Sequence, residues 1–210
     1  MPDRAILFVD GNNWYHGLRD IGVTDLGRLN YATISNKLLG PREWIETRYY
    51  IGQVRQHGNI RLYSEQRRFL ASLQATDRRI THHLGRLEPR STRNEAADEL
   101  LHYLHALTTR IDTRVFHDLV ALANRHRNVT VFVEKAVDVM LAVDMVVMAE
   151  RNAFNTAYLL SADGDYTHAV VAVRSLGKKV FAVSPLPGAQ LAGVVNSFIR
   201  LTPDWFTDCY

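Results

Sequence analysis

The strongest constraint on the fold is the alternation of short apolar runs with longer stretches of helical character. The apolar runs are rich in β-branched and aromatic residues and predict strands at 5–9, 47–54, 79–84, 129–133, 156–160 and 180–183. The helical stretches between them are 30–39, 62–76, 95–108, 113–126, 138–151 and 166–176. This order is typical of βαβ units. We therefore predict a three-layer α/β/α, Rossmann-like sandwich with a mostly parallel central sheet.

The length of the chain bounds its domain organisation. With 210 residues, 47% of them hydrophobic, the chain suits one domain with a substantial core, and we predict a single domain over 1–210. Residues 88–128 hold two helical patterns with no good strand between them. We interpret this stretch as a helical insertion within the domain.

The charge is distributed unevenly along the chain. Of the 25 basic residues, 21 are arginine, and residues 42–127 carry 15 arginines against 10 acidic residues. The planar guanidinium suits phosphate recognition, so a basic middle region is consistent with a nucleic-acid partner. The alternative is a solvated charged surface that reflects genomic composition.

Several classes of protein are disfavoured by composition. The single cysteine, Cys209, allows neither a disulfide framework nor a thiolate metal site. No apolar run approaches the roughly 20 residues of a membrane span, and the apolar stretch near the N-terminus is too short for a secretory signal. The expected compartment is a reducing cytoplasm, and no membrane partner is expected.

Acidic residues follow three of the predicted strands. Because the ligand crevice of an open α/β sheet lies beyond the carboxyl ends of its strands, these acids are expected to converge. Carboxylates that converge repel one another unless a cation lies between them, and oxygen ligands favour Mg²⁺ or Mn²⁺. The acids concerned are Asp10, Asp138, Asp144, Asp163 and Asp165.

Three of these acids have a purely structural alternative. Asp10 with Gly11 is also an ordinary turn sequence. Asp138 is placed to cap the helix that follows it, and Asp165 is placed to cap helix 166–176.

Asp144 poses a different problem, because segment 137–149 is apolar nearly all round and predicts a buried helix. An unpaired charge inside such a helix is costly, so Asp144 needs a partner, and Lys135 is the first residue to consider. At about 100° per residue, Asp138 and Asp144 lie roughly 120° apart around the helix axis. Asp138, at the helix start, is therefore the better metal ligand.

Three motifs together resemble a known family. Phe8-Val9-Asp10-Gly11-Asn12-Asn13, Glu134-Lys135-Ala136-Val137-Asp138 with its continuation to Met145, and Leu160-Ser161-Ala162-Asp163-Gly164-Asp165-Tyr166 resemble the NYN domain. This is a PIN-like nuclease family, and the motifs are most similar to its bacterial LabA-like branch. The sequence departs from the family at Ala136 and Ala162, where the family usually or often has glycine.

The resemblance implies a metal-dependent phosphodiesterase, usually acting on RNA. Asp10, Asp138 and Asp163 match the acidic metal centre of the family, which would take Mg²⁺ or Mn²⁺. Asp165 is predicted as a further metal and catalytic residue, and Asp144 as a supporting one. The implied partner is nucleic acid, single-stranded or structured RNA, and the sequence leaves open whether copies form a homo-oligomer.

Three further residues are predicted to contact the substrate. Asn13 matches a polar residue beside the first acid, where it would orient Asp10, hold water or contact a phosphate. Lys135 would steady the phosphate or neutralise Asp144. His168 falls in the first turn of the helix after Asp165.

Other functions remain open at this level. Trp14 and Tyr15 are suited to stacking on a base, although core packing is favoured for Trp14. A non-catalytic nucleic-acid-binding or regulatory module would keep the same scaffold. Asp163-Gly164-Asp165 is also a DxD pattern of nucleotide-sugar transferases, a reading that leaves Asp10 and Asp138 unexplained.

Overall fold

The computed structural model of the chain describes residues 2–54, 60–107 and 112–210. Those residues form two compact units. The larger comprises Met1–Arg86 and Lys135–Tyr210, and the smaller is Leu87–Glu134. None of the described helices combines the length and apolarity that a membrane span requires.

The described elements alternate much as the sequence predicts. The strands are β1 (Arg4–Asp10), β2 (Glu43–Gln53), β3 (Ile80–Arg93), β4 (Asn128–Lys135), β5 (Thr156–Leu160), β6 (Lys179–Ser184) and β7 (Ser197–Arg200). The α-helices are α1 (Gly11–Asp20), α2 (Tyr31–Leu39), α3 (Ile60–Thr76), α4 (Glu95–Ala106), α5 (Thr113–Arg125), α6 (Val137–Glu150), α7 (Thr167–Ser175) and α8 (Ala189–Ala192).

Six strands form an all-parallel sheet in the order β3-β2-β1-β5-β6-β7. The predicted α/β class with a mostly parallel sheet is confirmed. Strand β1 lies in the middle, between β2 and β5, so its end faces neighbours on both sides. In register, Asp10 lies opposite Tyr50 of β2, and Val9 lies opposite Leu160 of β5.

The sheet separates two apolar cores. Leu7 and Val9 of β1 belong to the core that includes residues of α1, α2 and α3, while Ile6 and Phe8 belong to the core with α6 and α7. Because side chains alternate along a strand, Asp10 falls on the same face as Phe8. The first acid therefore lies on the α6 side of the sheet.

The structure contains elements that the sequence pattern missed. No helix was expected over Gly11–Asp20, since Gly11, Asn12 and Asn13 have low helix propensity. Capping by Asp10 and burial of Trp14 and Leu18 outweigh that propensity. The last predicted strand was 180–183, yet the four-residue β7 follows it. So short a run carries little periodic signal.

The smaller unit contains the outer part of β3, α4, α5 and β4. Asn94 N–H donates to Arg127 O (2.8 Å) and the Thr92 hydroxyl donates to Val129 O (3.3 Å). Residue numbers thus rise on one strand as they fall on the other, so the two strands are antiparallel. The insertion predicted at 88–128 has its two helices and also this strand pair. The helix predicted at 95–108 ends at Ala106, and residue 108 lies outside the described residues.

Candidate active site

The end of β1 and the start of α1 are joined through Asp10. Asp10 Oδ1 accepts the Asn13 N–H (3.1 Å), which caps the helix. A Cβ on Gly11 would lie 2.6 Å from Tyr50 O and 2.5 Å from the Tyr49 ring, so only glycine lets the helix start this close to β2. Asp10 therefore has a structural role, whatever chemistry it performs.

The second oxygen of Asp10 faces the acid on α6. The Tyr166 hydroxyl lies 3.2 Å from Asp10 Oδ2 and 3.2 Å from Asp138 Oδ1, so one phenolic proton is shared between two carboxylates. The Ser161 hydroxyl also donates to Asp10 Oδ2 (3.1 Å). Asp10 and Asp138 are thus joined through one neutral donor, the Tyr166 hydroxyl.

Burial of Asp10 disturbs its ionisation. Asp10 is only 2% exposed. Burial, with a smaller contribution from the negative charge of Asp138, raises the pKa of Asp10 to about 6, against the hydrogen bonds from Asn13, Ser161 and Tyr166. Burial and the two carboxylates also raise the pKa of Tyr166, which stays a neutral hydroxyl. A positive charge at this place would favour the ionised form of Asp10.

The loop after β5 brings Asp163 to the same end of the sheet. Ser161 Oγ, which donates to Asp10, also accepts the Asp163 N–H (3.1 Å). Asn13 Oδ1 accepts the Ala162 N–H (3.0 Å). Asn13, which was predicted to contact the substrate, therefore holds this loop in place. Asp163 Oδ1 accepts the Asp165 N–H (2.9 Å) and caps a short 3-10 turn.

The predicted capping roles of Asp138 and Asp165 are not observed. Asp163 makes the capping bond that had been considered for Asp165, and Tyr166, at the N-cap of α7, makes none. Asp138 lies in the first turn of α6, after Ala136 at the N-cap, and it accepts from Tyr166. Ala136 has φ of 70°, a left-handed conformation that glycine adopts more easily. The departure from the family pattern at this residue therefore carries backbone strain.

Asp144 has a different partner from the one expected. Its Oδ2 accepts from Arg48 Nη2 (2.9 Å) and from the Tyr50 hydroxyl (2.8 Å), while Lys135 is exposed. Arg48 also contacts both oxygens of Glu46 (3.2 and 3.1 Å). The proposal that Lys135 neutralises Asp144 is wrong, because β2 supplies the cation from the sheet.

Helix α6 is also less buried than its composition predicts. Val139 is 65% exposed and Val143 is 52% exposed, whereas Leu141 and Met145 are fully buried. The prediction of a helix buried all round is therefore wrong. An exposed helix face is normally recognised by polar residues that recur along it. The outer side of α6 carries apolar residues instead, so the sequence pattern did not reveal that this face is exposed.

Not every predicted site residue joins the cluster. Within the described residues, Lys135 and His168 are exposed and make no hydrogen bond or ion pair with the acids, and Asp165 is exposed at the loop. In the same part of the chain, no group of three or more His, Cys, Asp or Glu side chains has an arrangement that would hold a metal ion. The contacts therefore join Asp10 to Asp138 through Tyr166, and Asp10 to Asp163 through Ser161.

Sequence reasoning assigned no role to Ser161, Tyr166 or Arg48. Tyr166 and Ser161 lie within the third of the three motifs, and a tyrosine beside two acids is a signal, because a buried hydroxyl needs a hydrogen-bond partner. Arg48 carries no such signal. It lies 96 residues from Asp144, and only strand pairing brings the two together.

Part of the chain matches a known family. Residues 104–202 match the model of the NYN domain, which implies the PIN-like nuclease family. The match contains Asp138, Asp163 and Tyr166, while Asp10 precedes it. No curated protein matches the chain.

One similar solved structure covers nearly the whole chain. It is the crystal structure of VPA0982 from Vibrio parahaemolyticus RIMD 2210633, a protein of unknown function, with 16% sequence identity and a TM-score of 0.56. The similarity spans 95% of this chain and 93% of that one. At this identity it shows a shared fold.

Proposed function

We propose that this protein is a metal-dependent nuclease that hydrolyses phosphodiester bonds of RNA, with Mg²⁺ or Mn²⁺ held by the acids at the carboxyl end of the sheet. The observation that supports it most is the carboxylate pair Asp10–Asp138, which is bridged by a neutral hydroxyl. The NYN-domain match supports a nuclease, and nucleases of that family are typically metal-dependent.

The available donors fit a hard divalent cation. Asp10, Asp138, Asp163 and Asp165 would supply carboxylate oxygens, the ligands that Mg²⁺ and Mn²⁺ prefer. Among the described residues, none of these four acids forms a salt bridge. Their negative charge is therefore available to a cation. When bound, such a cation polarises phosphate oxygens and makes hydroxide available near neutral pH.

The side chains of the chain itself prepare this site. Tyr166 and Ser161 fix the two oxygens of the carboxylate pair by donating to them. Asn13 holds the loop of Asp163 through Ala162 N–H. Lys135 and His168, both exposed, are proposed to contact the substrate phosphates, and Asp144 is proposed to support α6 through Arg48.

Cleavage assays test this proposal. Purified protein is incubated with single-stranded RNA, single-stranded DNA and duplexes, in Mg²⁺, in Mn²⁺ and in EDTA. We expect RNA to be cleaved only with metal, and Asp138→Asn to lower the rate by roughly 100-fold or more, because a transition-state charge loses its stabilisation. The matched control is Glu150→Gln, an exposed carboxylate at the end of the same helix, which should cleave like the wild type.

Two results would contradict a metal-dependent nuclease. One is cleavage that persists in EDTA, and the other is an Asp138→Asn variant as active as the wild type. The alternative of a non-catalytic binding module is favoured by the capping role of Asp10, which explains that residue without a metal. Salt-sensitive RNA binding without cleavage in either metal would support that alternative. Release of sugar from a nucleotide-sugar donor would support a transferase.

A further inference from the structure

Strand β3 lacks a side chain at the place where α6 begins. The Thr81 hydroxyl donates to Glu46 Oε1 (2.7 Å), on the α6 side of the sheet. Two residues further on, the ring of His83 stacks on Tyr50 with 4.8 Å between the ring centres. Because side chains alternate along a strand, Gly85 is the next residue on that face. There β3 presents only its backbone to α6.

The turn that starts α6 packs directly against this glycine. A Cβ on Gly85 would lie 2.3 Å from Val137 Cγ2, 2.9 Å from Lys135 O and 3.3 Å from Val137 N. Carbon atoms in contact are about 3.5 to 4.0 Å apart, so the turn would have to move by about 1 Å to admit one methyl group. Two of the three contacts are to backbone atoms, and a change of rotamer does not remove those.

The elements on both sides of this contact are held in place. Strand β3 is paired with β2 over its first half. The middle of α6 is held through Asp144, which accepts from Arg48 (2.9 Å) and Tyr50 (2.8 Å). Val137 is 1% exposed and β-branched, so its side chain has few other rotamers to adopt. A methyl group on β3 would therefore displace the first turn of α6, which carries Asp138.

We propose that Gly85 is a positioning residue for Asp138, because it lets the first turn of α6 lie close enough to β3 for Asp138 to reach the Tyr166 hydroxyl. This inference rests on the proposed nuclease function, in which Asp138 is a metal ligand. The two groups are 3.2 Å apart, so a displacement of about 1 Å away from Tyr166 would break their hydrogen bond. Functional groups must be held within about 0.5 Å of their productive geometry, and this displacement exceeds that tolerance.

Binding of Mn²⁺ alone tests the positioning role without catalysis. Electron paramagnetic resonance detects the unbound ion and gives the affinity of the purified protein. We expect Gly85→Ala to weaken Mn²⁺ binding by about 10- to 100-fold, the usual effect of changing a residue that orients a metal ligand. Adding Val137→Ala removes the 2.3 Å contact and should make binding at least about 2-fold tighter than in Gly85→Ala, the smallest coupling typical of residues in contact.

Two controls separate positioning from a loss of stability. Gly27→Ala adds the same methyl group where nothing lies within 4 Å, and it should bind Mn²⁺ like the wild type. Leu73→Ala makes a cavity in the core on the opposite face of the sheet, which lowers stability and leaves the start of α6 in place. This variant should also keep the wild-type affinity. Urea denaturation verifies that each variant is folded in the binding assay.

Crystal structures of the metal-free proteins measure the position of Asp138 directly. We expect the hydrogen bond between Asp138 and Tyr166 in the wild type and its loss in Gly85→Ala. If Gly85→Ala does not fold, the double variant with Val137→Ala takes its place, since the 2.9 Å contact with Lys135 O remains there. Its reference is then Val137→Ala, and equal Mn²⁺ affinity of these two proteins would overturn the positioning role.

The outcomes distinguish this inference from the nuclease proposal. An Asp138–Tyr166 hydrogen bond retained in Gly85→Ala, or Mn²⁺ affinity equal to that of a wild type that binds the ion, would overturn the positioning role and leave the nuclease proposal standing. A wild type that binds no Mn²⁺, together with a displaced Asp138 in Gly85→Ala, would keep the positioning role and overturn the metal site.

Discussion

Two pairs of carboxylates lie on the α6 side of the sheet, and only one of them is neutralised by a cation. Glu46 and Asp144 share Arg48, which donates to both at 2.9 to 3.2 Å. Asp10 and Asp138 share the uncharged hydroxyl of Tyr166. The first pair comes with a cation from its own chain. Among the described residues, the second pair has none within a salt bridge.

This difference separates an acid that holds the fold from one that is available for chemistry. The Arg48 pair is satisfied as it stands, and Tyr50 and Thr81 donate further hydrogen bonds to Asp144 and Glu46. In the Tyr166 pair, burial and, to a smaller extent, the negative charge of Asp138 raise the pKa of Asp10. Buried acids that lack a cation and have displaced pKa values are typical of functional sites.

The largest change in stability is expected from removing the cation of the first pair. Arg48→Met leaves Glu46 and Asp144 half-buried without a counter-charge. We expect a loss of about 3 kcal/mol in the free energy of unfolding, the lower end of the range for breaking a buried ion pair. Urea denaturation measures it, and Arg67→Met, an exposed arginine on α3, is the control. A loss below about 0.5 kcal/mol would show that the first pair is not held by its charge.

Removing a charge from the second pair should increase the stability of the folded protein, whereas removing Arg48 from the first pair lowers it. Because the pKa of Asp10 is raised, the folded state keeps a proton that the unfolded state has released, and stability falls as pH rises from about 4 to about 6. Asp10→Asn cannot ionise and avoids this loss. At pH 7 and without metal we expect it to be more stable than the wild type by about 2 kcal/mol, with no gain below pH 4.

Thermal or urea unfolding at several pH values measures the difference between the two proteins. Glu150→Gln, which removes an exposed carboxylate, should show no comparable pH-dependent gain. A wild type and Asp10→Asn pair whose stabilities stay parallel from pH 4 to 7 would contradict a raised pKa at Asp10.

The smallest effect concerns the turn that leads to Asp138. Ala136 has φ of 70°, so Ala136→Gly relieves left-handed strain, partly offset by the greater freedom of glycine in the unfolded chain. We expect a gain of about 0.5 kcal/mol. Ala142→Gly, inside α6, should instead cost about 1 kcal/mol. Equal losses in both variants would mean that the turn is unstrained.

The sequence was sufficient for most of the sheet because buried parallel strands are continuous apolar runs. Strands β1, β5 and β6 are such runs, and their predicted ranges agree closely with the structure. Helix α1 was missed because a cap and two buried side chains outweigh its low propensity. Helix α6 was misjudged because Val139 and Val143 are apolar yet exposed.

The site was predictable only as far as residue type and strand ends allow. The acids were chosen because they follow strands, and Asp10 and Asp138 do share one hydroxyl. Their roles as ligands remain predictions. The partner of Asp144 could not be predicted from the sequence, because Lys135 is near Asp144 in the chain whereas Arg48 comes near it only after β2 joins the sheet. Closeness along the chain is therefore a poor guide to the ion-pair partner of a residue when distant strands pair in the folded sheet.

The Tyr166 bridge also bears on when the site can exist during folding. Its three members come from residues 10, 138 and 166, so the acid pair assembles only after β1, α6 and the segment beyond β5 have docked. Contacts so distant in sequence form slowly, because loop closure must precede them. A chain that is still emerging during synthesis, or one that has folded only in part, therefore lacks the assembled pair.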